Sequence, residues 1–212
     1  MNNTLFVLAL VAAPLMAQAK DTATSKFDVQ GNVLIYDTEK SNDEIRDEDI
    51  DELQLLLRRH AGITELRLNS DGGSVYAGEE MAAIVIEHGL DTSVDGECIS
   101  ACVDLFLGGK RRRMTLKSKL GFHQRSWHSE AVQTYYRQWR KQRKWATPFE
   151  FGSWIYSDTQ TEIFEHLEYM ISRGVDAAFA IKTMQAEPSE EWYPTRLELI
   201  AAGVLREDAV TD

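Results

Sequence analysis

Apolar and polar positions fall into alternating strand-like and helix-like stretches through residue 124 of the chain, and into helical spacing alone for most of the remainder. After a small, polar lead-in over residues 20–26, the run Val33–Tyr36 reads as a strand preceded by a Gly31-Asn32 turn. SNDEIRDEDIDELQLLLRRHAG reads as a helix. Ser41 can cap it, acids fill its early turns, and Gly62 follows its end; Ile45, Ile50, Leu53, Leu56 and Leu57 recur near helical spacing. ITELRLNS is a strand, DGGSVYAG a glycine-rich turn, and GEEMAAIVIEHG a helix closing at Gly89. DTSVDG is a short strand, and ECISACVDLFL a helix stopped by Gly108-Gly109. KRRRMTLKSKLGFHQ holds two short strands around Lys117-Ser118-Lys119. The alternation predicts an α/β fold with right-handed crossovers and parallel pairing, without internal repeats.

From Ser129 the pattern turns helical and dense in aromatics, an arm over about residues 129–185 set upon the α/β core, before a final short helix in SEEWYPTRLELIAAGVL. In YYRQWRKQRKW, Arg137, Arg140, Lys141 and Lys144 fall largely on one helix side. A thin apolar face makes this foremost a solvated helix whose aromatics dock on the core or a neighbouring subunit. The alternative is a basic, aromatic surface for peripheral contact with an anionic membrane or a peptide. Lys110 to Arg113 read as an exposed turn and edge strand.

At the other end, Leu5 to Met16 is apolar but shorter than the ~20 residues of a bilayer span, and Ala17-Gln18-Ala19 is a small-residue cleavage signal. Residues 1–19 are therefore expected to be a signal peptide cut after Ala19, although no Lys or Arg precedes the apolar run. That leaves a single domain over 20–212, periplasmic or secreted. A hydrophobic share of 43% supplies a core, and a net charge of −11 argues against nucleic acid as a general partner.

Chemistry concentrates in DGECISACVDLFLGG, where Ser100 lies midway between the only two cysteines. Acyl transfer needs a hydroxyl nucleophile, an imidazole base, an acid to orient it, and two N–H donors for the oxyanion. Ser100 at a helix start, His123 at a strand end and the Gly72-Gly73 turn supply candidates. Each has a plain structural alternative: a helix cap for Ser100, a backbone-bonded ring for His123. His60, His88, His128 and His166 have no such context and read as structural. Cys98 and Cys102, four apart on the expected helix, could join as a disulfide, stay as buried thiols, or offer a second-rank nucleophile. Nothing calls for a metal or cofactor.

Three segments in this order, LNSDGGSVYAG, ECISACVDLFLGGKRR and LGFHQ, resemble the ClpP-like serine peptidases of the ClpP/crotonase fold, over about residues 63 to 124. EWYPTRLELIAAGVL resembles that family's acid segment more weakly. The resemblance implies a ClpP/crotonase-like α/β core of repeated ββα units with a helical arm. It casts Ser100 as nucleophile, His123 as base and Glu191 as acid (beside Glu190), with Gly73 and Ala101 as oxyanion donors. It also implies a peptide or protein substrate and a homo-oligomer. The departures are the flanking cysteines, a pattern associated with exported ClpP-like proteins, a longer His123-to-Glu191 interval, and glutamate in place of aspartate. An exported protein cannot work beneath an ATP-driven unfoldase, so no ATPase partner is expected. The Ser-Lys pair of SppA-type peptidases finds no suitably placed lysine. A non-catalytic binding or assembly protein on the same fold is the competing expectation.

Overall fold

Gly31, at φ 64, and Asn32 reverse the chain so that β1 (Phe27–Gln30) pairs antiparallel with β2 (Val33–Asp37). From β2 onward the pairing is parallel, as the alternating pattern predicts, through β3 (Glu65–Ser70), β4 (Asp91–Ile99) and β5 (Arg112–Met114). The sixth strand, β6 (Lys119–Gly121), also pairs with β4. These features come from a computed structural model describing residues 25–207; the expected signal peptide lies outside the described residues. Leu34 and Tyr36, Leu66 and Leu68, and Val94 put one sheet face into the core, all wholly buried. Against them pack α2 (Glu48–Arg59) through Leu53 and Leu57, and α3 (Val75–Glu87) through Met81 and Val85. The short α4 (Ala101–Leu107) is buried at every residue, as expected of a helix apolar nearly all round.

Two expected boundaries change. The helix expected from Ser41 divides into a one-turn α1 (Thr38–Ser41), ended by Asn42 at φ 51, and α2, which begins only at Glu48. Ile45 is drawn out of helical geometry because its backbone pairs with the glycine turn: Ile45 N donates to Gly72 O at 2.7 Å and Ser74 N to Ile45 O at 2.8 Å. Secondly, β4 runs on to Ile99, so Cys98 ends a strand and only Cys102 is helical. The first half of β4 pairs with β5 and its second half with β6, which keeps the backbone extended past Gly96.

The arm consists of α5 (Ser129–Trp139), α6 (Pro148–Ser172) and α7 (Ala177–Thr183), followed by α8 (Arg196–Ala201) with its Thr195/Glu198 capping box. Tyr135, Trp145, Phe151 and Trp154 meet as neighbouring rings between α5 and α6. Arg112, expected at an exposed edge, is wholly buried instead. The ends of three helices converge on it, and its guanidinium donates to the carbonyls of Leu107, Arg173, Gly203 and Val204 at 2.7–3.2 Å. Lys110 and Arg111 follow expectation more closely, with Arg111 paired to Asp91.

Candidate active site

Ser100 stands in the turn from β4 into α4 with φ 56 and ψ −126. Such a backbone costs a non-glycine residue on the order of 1–3 kcal/mol, so its surroundings must hold it. Three restraints do so. Ser100 N donates to Gly121 O at 3.1 Å, Val103 N donates to Ser100 O at 2.8 Å, and a Cys98–Cys102 disulfide joins the strand end to the first helical turn across it. The Ser100 side chain makes no capping bond, and its hydroxyl has no hydrogen-bond partner among the described residues. The helix-cap explanation for this serine therefore fails.

The Gly72-Gly73 turn lies against it. A Cβ on Gly72, at φ 102, would sit 2.9 Å from Ser100 Cβ and 3.3 Å from Ala101 N, and one on Gly73, at φ 141, would meet the Ile45 backbone at 2.5 Å. Glycine is required at both positions by φ and by space. Ala101 N–H, in the first turn of α4, has no intrahelical acceptor, and Gly73 N–H donates to no other group among the described residues. Both expected donors are thus unspent, Ala101 directly after Ser100 and Gly73 directly after the Gly72 that packs against it.

His123 follows β6, with its backbone fixed on both sides. Phe122 exchanges two hydrogen bonds with Trp192 (3.0 and 2.9 Å), and Gln124 is tied to Ala186 O and Met184 O at 2.9 and 2.8 Å. The ring's Nδ1 lies 2.7 Å from Gln124 O. A carbonyl can only accept, so the proton belongs on Nδ1 and Nε2 keeps its lone pair, the tautomer a general base needs. Ser100, Gly121, Phe122 and His123 line one hollow of about 20 Å³, room for little more than a water, although no hydrogen bond joins the serine to the ring.

Glu191 is not brought to His123. Its exposed carboxylate accepts from Tyr193 hydroxyl at 2.8 Å, beside Asp71, whose carboxyl is raised by burial and by Glu97 and Glu191. Glu190 likewise has no bond to the ring. The expected third member is absent from the ring in this conformation, its place on Nδ1 taken by a main-chain oxygen.

Sequence reasoning missed a charged cluster behind the serine. Asp104, one turn along α4 and 3% exposed, accepts from Arg125 at 2.9 Å and lies 3.3 Å from His166 Nδ1. Arg125 also reaches Glu79 on α3 and Glu162 on α6. Burial alone would raise the Asp104 carboxyl, but His166 and then Arg125 outweigh it and hold it below the usual range. The signal available was Asp104 itself, the lone charge in ACVDLFL.

A far larger cleft, about 640 Å³, opens from Gly73 and Ser74 past Arg125–His128 to Tyr135 and α6. Ser100 does not line it, but Gly73 does, so the cleft reaches the Gly72-Gly73 turn that lies against Ser100. Glu79, Asp158, Glu162 and Glu165 make its walls acidic. Among the described residues no group of His, Cys, Asp and Glu could hold a metal ion.

No protein-family model matches this chain, and no curated protein matches it in sequence. Among solved structures, a ClpP1 mutant from Listeria monocytogenes is similar, with a TM-score of 0.53 at 14% identity, over 84% of this chain and 90% of that one. The likeness establishes a ClpP-like α/β fold for this chain.

Proposed function

We propose that the protein is an exported, ATP-independent serine hydrolase acting on peptide or protein. Ser100 Oγ attacks the substrate carbonyl carbon while His123 Nε2 takes the hydroxyl proton. The carbonyl oxygen becomes an oxyanion facing the Gly73 and Ala101 N–H groups. The imidazolium returns the proton to the leaving amine as the C–N bond breaks, and a water then releases the acyl group by the same route. Gln124 O holds the ring's tautomer, a role usually given to a carboxylate, and Glu191 stands as the acid only if substrate frees it from Tyr193. The observation that carries the reading is the strained, uncapped Ser100 turn packed against Gly72, with the N–H groups of Ala101 and of the adjoining Gly73 left unspent.

The second reading, a binding or assembly protein with a retained cleft, is favoured by the missing Ser100–His123 hydrogen bond. Such bonds often form only once substrate is bound. A fluorophosphonate probe separates the two: covalent labelling of the wild type, lost in Ser100→Ala, supports the hydrolase, and an unlabelled wild type supports the binding protein.

Export rests on the Ala17-Gln18-Ala19 signal and fits the disulfide, which an oxidising compartment preserves. N-terminal sequencing of the exported chain should begin at Lys20. Self-association is supported by Tyr156, Ile163, Phe164 and Ile171, which leave an apolar stripe exposed along α6. Light scattering should give a mass above that of one chain.

A further inference from the structure

The end of the arm differs in charge from the rest of the molecule. The chain carries −11, yet residues 137–150 hold five cations, Arg137, Arg140, Lys141, Arg143 and Lys144, and one carboxylate, Glu150. All five are exposed, and none pairs with a carboxylate among the described residues. Arg137, Arg140, Lys141 and Lys144 were expected along one helix side, but α5 ends at Trp139, so Arg140, Lys141, Arg143 and Lys144 occupy the turn that joins it to α6.

That turn is firmly built. Arg143 N donates to Trp139 O, Trp145 N to Arg140 O, and Lys144 takes φ 60. Thr147 caps α6, and Glu150 accepts from Ala146 N at 2.7 Å. Beneath it the Trp145, Phe151 and Trp154 rings meet, with Arg143 lying 5.8 Å over Trp154. Phe149, in the first turn of α6, is left 87% exposed beside the cations. The large clefts stop at Tyr135 and Ile155, so the tip is a projecting end and not a groove.

We propose that this hairpin tip is a docking surface for anionic lipid bilayers, its cations meeting headgroup phosphates and Phe149 entering the interface. Unpaired cations are what a negative lipid surface attracts. A lone protruding phenyl ring among them gains nothing in water but gains by burial among acyl chains. A strand of nucleic acid would call for a basic groove with successive stacking platforms, and the tip offers no groove and a single exposed ring. The proposal is independent of any chemistry at Ser100.

The test is co-sedimentation of the full chain with phosphatidylcholine vesicles and with vesicles in which about a third of the lipid is phosphatidylglycerol. The Leu5–Met16 run is uncharged and common to all variants, so it contributes alike to both vesicle types. Wild type should prefer the anionic vesicles. Each neutralised cation should reduce that preference about fivefold, so R137Q/K141Q/K144Q should reduce it on the order of 100-fold. Phe149→Ser, which leaves charge intact, should weaken partition into anionic vesicles about tenfold. No preference in the wild type, or a triple variant that keeps it, overturns the proposal. So does tighter binding to a single-stranded oligonucleotide with Phe149→Ser without effect on either ligand, which assigns the tip to nucleic acid.

Discussion

Replacing Arg125 with methionine keeps most of the side-chain volume and removes the cation that links α3, α4, α6 and the segment after His123. Its partners contribute unequally. Glu79 and Glu162 have side chains 47% and 35% exposed, so water replaces the arginine at little cost, about 0–1 kcal/mol each. The Asp104 side chain is only 4% exposed and would keep His166 alone. Losing one partner of a buried pair costs about 3–5 kcal/mol, and the remaining histidine places this case at about 3. Against a total stability of about 5–15 kcal/mol, Arg125→Met should still fold. Urea unfolding at neutral pH would measure the difference. In the wild type the Asp104 carboxyl is depressed below its unfolded value of ~3.9; its contribution is complete above that value and lost as pH falls through the folded one. Without Arg125 the folded carboxyl titrates higher. The gap between the two proteins should therefore be widest at neutral pH and close during acidification. Adding Asp104→Asn to Arg125→Met should cost clearly less than the two single changes summed, because the second change removes the stranded charge. A loss below 1 kcal/mol, or a gap that ignores pH, would mean that water already solvates Asp104 and that the cluster does not hold the site.

Three further outcomes follow from the same geometry. Ser100→Gly should be about 1 kcal/mol more stable than Ser100→Ala in urea unfolding, since glycine accepts φ 56 without strain, and both should be unlabelled by fluorophosphonate. Cys98→Ala/Cys102→Ala should lose no more than about 2 kcal/mol, because the bridge closes a loop of sequence separation 4; kcat should fall with KM little changed if the bridge positions the nucleophile turn. Glu191→Gln should slow turnover less than tenfold while Gln124 O holds the imidazole, and a far larger loss would restore Glu191 as the acid.

Local signals carried the parts of this structure that are local. Val33–Tyr36, the glycine turn at 72–73, the helix closing before Gly89 and the serine-to-helix turn are all visible as period and punctuation, and the element order gave the parallel sheet. The β4–α4 boundary was misplaced because Glu97–Ile99 are held extended by pairing with Lys119–Gly121 of β6, distant in sequence, and not by their own propensity. The split before α2 arises likewise from Ile45 pairing with Gly72-Gly73. Side-chain partners were least legible. Asp104 with Arg125, Asp104 with His166, and Arg112 with Val204 are joined across 21, 62 and 92 positions, and no spacing rule selects them. At Glu191 the short-range contact with Tyr193, two residues away, competes with the long-range role that resemblance assigned.

The buried Arg112 sets an order on the making of this protein. Its guanidinium needs the carbonyls of Gly203 and Val204, which leave the ribosome about ninety residues after the arginine itself. Until then the cation that closes the end of α4 lacks half its acceptors, and an unsatisfied buried charge opposes compaction. The short helix that follows Ser100 therefore settles only once residues 203 and 204 have been added to the chain. For the hydrolase proposed above, a chain that has not yet made residues 203 and 204 would be inert.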